Sequence, residues 1–423
     1  MRFVHVNHRY APFAGGSERW MQEASEVLAR AGHDVTVVTT NAFDLEYMWD
    51  RKRECVHAPR NECLNGVNVE RVPITHLPLS SLGFQGSRRV MGELSRMPLP
   101  AWPFRAISRL QPFVPSFDAA VERGLPADLV HATNVGIESL ALRAMRIARA
   151  HGARFVLTPF IHLGVDGDPV ARRYVSMPHQ LELIRSADAV MVMTEAEGEF
   201  VQQIRGGRGD IVVTGAGVDI DEVTHGKPER LRQHVSSRGF VVGSIGALAQ
   251  DKGTFDLARA VIDLRRSGHE IELLLVGPPL RSFVRWYTDL SDTEREGIHV
   301  LGFVSAAFKR DVLAAIDVMA LPSRTESFGI VYLEAWANRV PVIAADTPAT
   351  RELVGTSGGG LLTPFGDIEA IAGALLSMMR SPETRKAMGA AGFEMTCQRH
   401  TWEHVVRRVA HVYADVLDVE VLG

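Results

Sequence analysis

Two glutamates stand eight residues apart in a segment whose other residues suit an anionic ligand. The segment reads Leu321-Pro-Ser-Arg-Thr-Glu-Ser-Phe-Gly-Ile-Val-Tyr-Leu-Glu334, with Glu326 before a predicted helix start and Glu334 inside that helix. Backbone N–H groups at a helix start can hold a diphosphate. Glu326 could then accept hydrogen bonds from sugar hydroxyls, and Glu334 from ribose hydroxyls one turn deeper. The segment predicts a nucleotide-sugar site, although exposed helices often carry glutamates for no such reason.

A second candidate segment is Ile245-Gly-Ala-Leu-Ala-Gln-Asp-Lys-Gly253, which joins a predicted strand to a predicted helix. It matches neither the GxGxxG fingerprint nor a P-loop. Lys252 comes directly before the helix start, where an ammonium adds to the helix dipole in holding a diphosphate. The alternative is a surface lysine in a turn.

A third segment, Pro12-Phe-Ala-Gly-Gly-Ser-Glu18, follows the first predicted strand. Gly15 and Gly16 permit a close backbone approach, and the helix that begins near Ser17 presents free N–H groups, so a phosphate would fit there. The alternative is a plain glycine turn with Ser17 as the N-cap.

Two histidines follow predicted strands in the first half of the chain. His131 ends Asp128-Leu-Val-His131, and His162 ends Thr158-Pro-Phe-Ile-His162. A histidine after a strand is more often a structural hydrogen-bonding group than a catalyst. His162 is the better candidate, since a neutral imidazole at a cleft edge could bond a sugar hydroxyl or accept a proton from an alcohol.

Strands and helices alternate along the chain and must position these residues. The first half predicts strands at 3–6, 34–39, 128–131, 155–158 and 189–193, with helices from 17 and over 137–150. After a connection at 222–239, the second half predicts strands at 240–245, 271–276, 299–301, 318–321 and 340–344, and helices at 255–266, 307–316, 330–338 and 402–417. We therefore expect two doubly wound parallel sheets, which face each other across a ligand cleft at the carboxyl ends of their strands.

Composition limits the partners. The chain has 423 residues and a formal charge of -4, so no global basic field favours a nucleic-acid partner. We find no secretory signal and no run of 18 apolar residues, which favours a cytoplasmic protein. Three cysteines (Cys55, Cys63 and Cys397) favour a reducing compartment, and a Cys55–Cys63 disulfide is the minor alternative.

An insertion between the second and third predicted strands, residues 79–117, is basic and rich in proline. It contains five arginines and one glutamate, Glu93. The ordinary interpretation is an irregular loop over helices with solvated charges. The alternative is an element that contacts an anionic acceptor or an anionic lipid surface, as a peripheral contact at the inner face of the membrane.

Several of these motifs, in this order, resemble the retaining GT-B glycosyltransferases of family four (glycosyl transferases group 1). The resemblance covers nearly the whole chain and rests on Gly15-Gly16, Gly32-His33-Asp34-Val35, Thr214-Gly-Ala-Gly-Val-Asp219, Asp251-Lys252-Gly253, Glu326-Ser-Phe-Gly329 and Glu334. It implies two Rossmann-like domains. We expect an acceptor domain over 1–215, joined by the tail helix 401–423, and a nucleotide-sugar domain over 216–400.

The resemblance also implies roles for single residues. Glu326, Lys252 and His162 would be catalytic, with Glu326 on the donor-sugar hydroxyls and His162 near the transferred sugar. The donor would be bound by Gly15, Gly16, Lys252, Arg324, Glu326, Ser327, Phe328, Gly329 and Glu334. No metal or other cofactor would be needed. Where the family usually has an arginine after Gly246, this chain has Ala247, and we expect Arg324 to supply the missing cation.

The expected activity is sugar transfer from a nucleoside-diphosphate sugar to an acceptor hydroxyl, in polysaccharide, glycolipid or other glycoconjugate synthesis. No second carboxylate stands clearly opposite Glu326. We therefore favour what the resemblance implies, a same-face displacement in which the leaving diphosphate helps to deprotonate the acceptor. The acceptor is a carbohydrate, a lipid-linked group or a small molecule. A non-catalytic nucleotide-sugar-binding protein and a GT-B epimerase are the alternatives.

Overall fold

The computed structural model describes residues 1–12, 15–77, 80–231 and 239–422. Contacts divide the chain into two compact units: the first comprises Met1–His162, Pro169–Gly215 and Val405–Gly423, and the second Leu163–Asp168 and Ala216–His404. Leu79 of the basic insertion and residues 232–238 of the predicted connection lie outside the described residues.

The first unit is built on an eight-stranded sheet in the order β3-β4-β2-β1-β5-β6-β7-β8. Its strands are β1 (Arg2–Val6), β2 (Asp34–Thr40), β3 (Asn61–Leu64), β4 (Val67–Val72), β5 (Leu129–Thr133), β6 (Arg154–Thr158), β7 (Ala189–Val192) and β8 (Asp210–Val213). All neighbours are parallel except β3 and β4. The parallel core strands are buried apolar runs, as a sheet covered on both faces requires.

Helices connect these strands. They are α1 (Gly16–Arg30), α2 (Ser80–Leu94), α3 (Ala101–Ser108), α4 (Phe117–Arg123), α5 (Glu138–Ala150), α6 (Pro169–Arg173), α7 (Pro178–Ser186) and α8 (Glu195–Arg205). A short 3-10 turn covers Leu45–Met48. The predicted strands and helices of this half are present, with bounds that shift by at most two residues.

The hairpin β3-β4 was absent from the prediction. Asn65 and Gly66 form its two-residue turn with φ of 51° and 84°, the conformation of a type I′ turn. An Asn-Gly pair between short strands is the sequence signal for this turn, so it could have been found. Cys55 and Cys63 are both free thiols, so the disulfide alternative is wrong.

The basic insertion follows β4 rather than the second strand, and its described part is mainly helical. Its helices are α2 and α3, so the expectation of an irregular loop was wrong. Among the described residues, four of its five arginines form ion pairs: Arg88 with Glu138, Arg96 with Glu93, Arg105 with Glu182 and Arg109 with Asp118. Three of these partners lie outside the insertion, so a count of charges along the sequence overstates its basic character.

The second unit contains a six-stranded parallel sheet in the order β11-β10-β9-β12-β13-β14. Its strands are β9 (Phe240–Ile245), β10 (Ile271–Val276), β11 (Ile298–Gly302), β12 (Val318–Leu321), β13 (Val342–Ala345) and β14 (Gly360–Thr363). The helices are α9 (Ile220–Val223), α10 (Thr254–Arg266), α11 (Arg281–Asp289), α12 (Asp292–Arg295), α13 (Ala306–Ala315), α14 (Ile330–Ala337), α15 (Pro348–Thr350), α16 (Ile368–Arg380) and α17 (Pro382–Arg399). A 3-10 turn covers Pro228–Leu231, and a π-helical turn covers Arg351–Gly355.

The terminal helix α18 (Trp402–Leu417) matches its predicted bounds, and from Val405 onward it belongs to the first unit. Val405, Val409 and Tyr413 on one face are fully buried. The Tyr413 hydroxyl contacts His131 Nδ1 at 2.6 Å and His5 Nε2 at 3.0 Å. The apolar stripe read from the sequence is therefore the face that packs on the sheet, and a buried polar network completes that contact.

Candidate nucleotide-sugar site

Lys252 is presented by a tight turn at the start of α10. Gly253 is the N-cap of this helix and has a left-handed φ of 70°. A Cβ on Gly253 would lie 2.1 Å from the carbonyl oxygen of Pro322, so this position accepts only glycine without a shift of the backbone. The close approach brings the turn after β9 against the loop after β12.

The loop after β12 is held on the Lys252 turn by hydrogen bonds to one carbonyl. Arg324 donates its backbone N–H to the Asp251 oxygen at 2.7 Å, and the Ser323 hydroxyl donates to the same oxygen at 3.3 Å. Lys252 Nζ then reaches Glu326 Oε1 at 2.6 Å and the Thr325 carbonyl at 3.3 Å. The structure thus brings together the lysine and the glutamate that the sequence singled out, 74 residues apart.

Glu326 leads into α14 through Ser327, Phe328 and Gly329. Ser327 is half-buried, and Phe328 is buried against the His400 ring, with the centroids 5.3 Å apart. Gly329 is the N-cap of α14 with a φ of 95°, and a Cβ there would lie 2.4 Å from the Tyr332 ring. The first backbone N–H groups of α14 therefore begin beside the Lys252–Glu326 pair, where they can meet an anionic ligand.

Glu334 lies within α14 and pairs with a lysine that sequence reasoning missed. Lys309 Nζ of α13 contacts Glu334 Oε1 at 2.7 Å. The carboxyl group is buried, and its other oxygen, Oε2, has no hydrogen-bond partner among the described residues. A buried carboxylate oxygen without a partner is costly, so Glu334 is ready to accept a hydrogen bond from a hydroxyl group. No motif in the sequence links Lys309 with Glu334.

Arg324, the expected replacement cation, is already engaged. Its Nη2 contacts Asp168 Oδ2 at 2.5 Å, and the Asp168 side chain is only 2% exposed. Arg351 likewise contacts Asp166 Oδ2 at 2.9 Å. The short segment Leu163–Asp168 therefore packs with the second unit through two arginine–carboxylate pairs. Arg324 must leave Asp168, or share it, before it can bind a diphosphate.

In the first unit, Gly15 and Gly16 begin α1 beside a buried charge cluster. Gly15 is the N-cap, so the alternative of Ser17 as the N-cap is wrong, and the Ser17 hydroxyl instead donates to Glu18. Arg9 contacts Glu18 at 2.8 Å and His8 contacts it at 3.2 Å. Burial works to raise the pKa of Glu18, but the hydrogen bond from His8 and the charges of Arg9 and His8 outweigh it and lower the pKa to about 2.

The two candidate histidines differ in environment. His131 is fully buried between the Tyr413 hydroxyl and the Thr158 hydroxyl, so it is a structural residue. His162 is exposed, two residues after Phe160, a non-glycine residue with a φ of 50°. The role of His162 as the reactive histidine stays a prediction.

Comparisons with known proteins identify relatives of each half. Residues 15–217 match the glycosyl transferase 4-like domain, and residues 227–395 match the glycosyl transferases group 1. One relative is a GDP-mannose-dependent monoacylated α-(1-6)-phosphatidylinositol monomannoside mannosyltransferase of Corynebacterium glutamicum. The two sequences are 30% identical over 211 residues, which are 47% of this chain and 54% of that relative. The chain is 27% identical over 311 residues, 69% of its length, to a D-inositol 3-phosphate glycosyltransferase of Corynebacterium urealyticum, of which it spans 72%.

Solved structures show the same fold. Sucrose-phosphate synthase of Thermosynechococcus elongatus matches with a TM-score of 0.76 and 18% identity, over 99% of this chain and all of that one. Anabaena HepE in complex with UDP matches with a TM-score of 0.71 and 18% identity, over 98% of this chain and all of that one. The two family matches follow each other along most of the sequence, and the chain therefore belongs to the glycosyl transferases of group 1, the family-four glycosyltransferases of GT-B fold.

Proposed function

We propose that this protein transfers a hexose from a nucleoside-diphosphate sugar to an acceptor hydroxyl with retention of anomeric configuration. The observation that carries this proposal is the Lys252–Glu326 pair, 2.6 Å apart and next to the N-terminus of α14. An ammonium and a helix start suit a diphosphate, and the carboxylate beside them suits sugar hydroxyls. One cluster thus offers partners for both parts of the donor.

Each residue has a distinct part in the proposed reaction. The N–H groups that begin α14, after Phe328 and Gly329, hold the diphosphate together with Lys252, and they stabilise the charge that develops on it as the glycosidic bond breaks. Glu326 orients the sugar by its hydroxyls, and Glu334 accepts a hydrogen bond from ribose. The leaving phosphate oxygen takes the acceptor proton on the same face of the sugar. The role that we assign to His162 is a hydrogen bond to a sugar hydroxyl.

The remaining donor residues act through their backbones, except Arg324, whose side chain must first leave its present partner. Gly15, Gly16 and Ser327 allow close approach to the donor without a bulky side chain. Arg324 contributes its charge once it leaves Asp168.

We propose that no metal is required, because Lys252 and the helix start neutralise the diphosphate. Transfer that persists in excess EDTA would agree with this, and loss that Mg²⁺ restores would contradict it.

The acceptor is proposed only by class. One relative's name mentions D-inositol 3-phosphate and another's a phosphatidylinositol mannoside, so polyol phosphates and their lipid-linked forms join carbohydrates and small molecules in the acceptor panel. Purified protein would be incubated with UDP-glucose or GDP-mannose and each acceptor, and products analysed by mass spectrometry and NMR. An α-linked product supports the proposal. A changed sugar with donor alone indicates an epimerase, and binding without any product indicates a non-catalytic binding protein.

We further propose a peripheral membrane contact through the insertion, on the cytoplasmic side. None of the described helices has the length and apolar character to cross a bilayer. Met97, Trp102 and Leu110 are 48%, 63% and 49% exposed, and Arg89 is also exposed. Exposed apolar side chains and an exposed cation within one insertion suit an interfacial contact. Sedimentation with anionic vesicles should capture wild type more than Trp102→Ala, and equal, negligible binding of both would contradict it.

A further inference from the structure

Glu197 is a buried carboxylate that the proposed reaction does not use. It lies in the first turn of α8 and is 1% exposed. Its Oε1 accepts the backbone N–H of Ile161 at 2.7 Å, and its Oε2 accepts the backbone N–H of Met193 at 2.7 Å. Ile161 follows β6, and Met193 follows β7. One side chain therefore ties the carboxyl ends of two neighbouring strands, and one of its anchors is the residue before His162.

The turn that leads to His162 needs such support. Phe160 has a left-handed φ of 50°, which is unfavourable for a large aromatic residue and persists only where the surroundings impose it. The Val135 N–H donates to the Pro159 carbonyl at 3.0 Å, and Trp20 packs edge-on against the Phe160 ring. These contacts hold the start of the turn, and the bond from Glu197 to Ile161 holds its end.

We propose that Glu197 is a positioning residue for His162. By accepting the Ile161 N–H, it fixes the last peptide before His162 and so orients the imidazole toward the acceptor. This inference rests on the proposed transferase function. Because two backbone donors point at one carboxylate, a glutamine cannot replace it: its amide NH2 would face an N–H group, which would remain buried without an acceptor.

The test compares Glu197→Gln with Glu199→Gln, an exposed glutamate on the same helix, in the transfer assay. We expect Glu197→Gln to lower kcat by about 10- to 100-fold with little change in the donor KM, because a small misplacement of a reacting group has this scale of effect. Glu199→Gln should behave as wild type. Equal kcat for wild type and Glu197→Gln overturns the inference.

A double-mutant cycle separates positioning from simple loss of stability. In a His162→Ala background, Glu197→Gln should have little further effect on kcat, because the residue through which it acts is gone. An equal loss in both backgrounds overturns the inference. So does a His162→Ala variant with wild-type activity. If wild type itself transfers no sugar to any acceptor, the proposed function fails, which is a different result.

A measurement on wild type alone covers the case in which Glu197→Gln does not fold. Hydrogen exchange should show the Ile161 amide protected as strongly as the amides of β6, although the next residue, His162, is exposed. Fast exchange at Ile161 contradicts the proposed hydrogen bond from the Ile161 N–H to Glu197. In a folded Glu197→Gln protein, exchange at Ile161 or Met193 should accelerate while the amides of β9 remain unchanged.

Discussion

Lys252 Nζ lies 2.6 Å from Glu326 Oε1, so the two residues already form an ion pair before any donor is bound. The lysine side chain is 23% exposed and the glutamate side chain 11%, which leaves the pair accessible but partly shielded from water. We expect a donor to exchange this contact for two others, Lys252 to phosphate and Glu326 to sugar. The ion pair therefore holds both side chains in place until the donor arrives, and the contacts with the donor would then replace the one contact between them.

Removal of either partner should abolish most of the activity. We expect Lys252→Ala and Glu326→Ala each to lower turnover by at least about 100-fold, the scale of one lost electrostatic group in an active site. Lys386→Ala, at an exposed lysine of the same unit, is the control and should behave as wild type. Thermal unfolding should show that all three variants fold. Wild-type turnover in Lys252→Ala would refute the phosphate role.

Glu334 should contribute to the binding of ribose and not to that of phosphate. Its buried Oε2 has no partner among the described residues, so we expect a ribose hydroxyl to donate a hydrogen bond to this oxygen. We expect Glu334→Ala to weaken nucleoside-diphosphate binding by roughly 10-fold or more in calorimetry. Pyrophosphate, which lacks ribose, is the matched control ligand and should bind both proteins equally. An equal loss for both ligands would assign the effect to general damage of the site.

Gly253 should be required for the Lys252 turn. Gly253→Ala combines a left-handed φ with a Cβ at 2.1 Å from the Pro322 oxygen, whereas Gly268→Ala has a similar φ of 86° and open space around the new atom. Both variants lose about 1 to 2 kcal/mol of stability from the conformational strain. Only Gly253→Ala should also weaken nucleotide binding, by about 10-fold or more. Unchanged affinity in Gly253→Ala would show that the turn does not set the position of Lys252.

Acid should destabilise the first unit through two buried histidines. Burial lowers the pKa of His5 to about 3, and burial together with the nearby His5 holds the pKa of His131 well below its ordinary value. Between the unfolded pKa of about 6.5 and the folded values, only the unfolded chain binds these protons, so the stability present above pH 6.5 declines as pH falls. We expect His5 to contribute a loss on the order of 2 kcal/mol from pH 7 to 5, and His131 to add to it in the same direction, measured by urea unfolding.

A variant isolates this pH effect. Ser25 donates its hydroxyl to the Met21 carbonyl, so His5 Nδ1–H donates to Ser25, and His5 Nε2 accepts from Tyr413. His5→Gln removes one titrating group, so the stability of this variant should fall less between pH 7 and 5 than that of wild type. His151→Gln, at an exposed histidine, should leave it unchanged. An identical pH slope in wild type and His5→Gln would contradict the assignment.

Local patterns predicted most of the fold, because buried parallel strands and amphipathic helices show their period in the sequence. In the second half of the chain, the strands and the helix between Phe240 and Val276 begin and end within one residue of their predicted bounds, and so does the terminal helix. The hairpin β3-β4 was missed although Asn65-Gly66 marks its turn, since its strands are short and partly polar. Motif spacing likewise singled out Lys252 and Glu326, whose contact the structure then supplied.

Partners from distant segments could not be predicted. Lys309 and Glu334 are 25 residues apart, Arg324 and Asp168 are 156 apart, and neither separation matches a helical or strand period. The expectation that Arg324 replaces the usual arginine at Ala247 rested on proximity in sequence alone, and the carboxylate of Asp168 now competes for it. Glu197 was missed because a glutamate at a helix start is common, and its backbone partners leave no trace in side-chain patterns.

The most direct test of the account is a donor-binding measurement. UDP, GDP, ADP and dTDP sugars would be titrated against wild type and Lys252→Ala by thermal shift and calorimetry, since a ligand that binds only the folded state raises its stability. We predict that one class of donor clearly stabilises wild type and that Lys252→Ala loses most of this effect. If no nucleotide sugar stabilises wild type, or if Lys252→Ala responds as wild type does, the site at the starts of α10 and α14 is not the donor site.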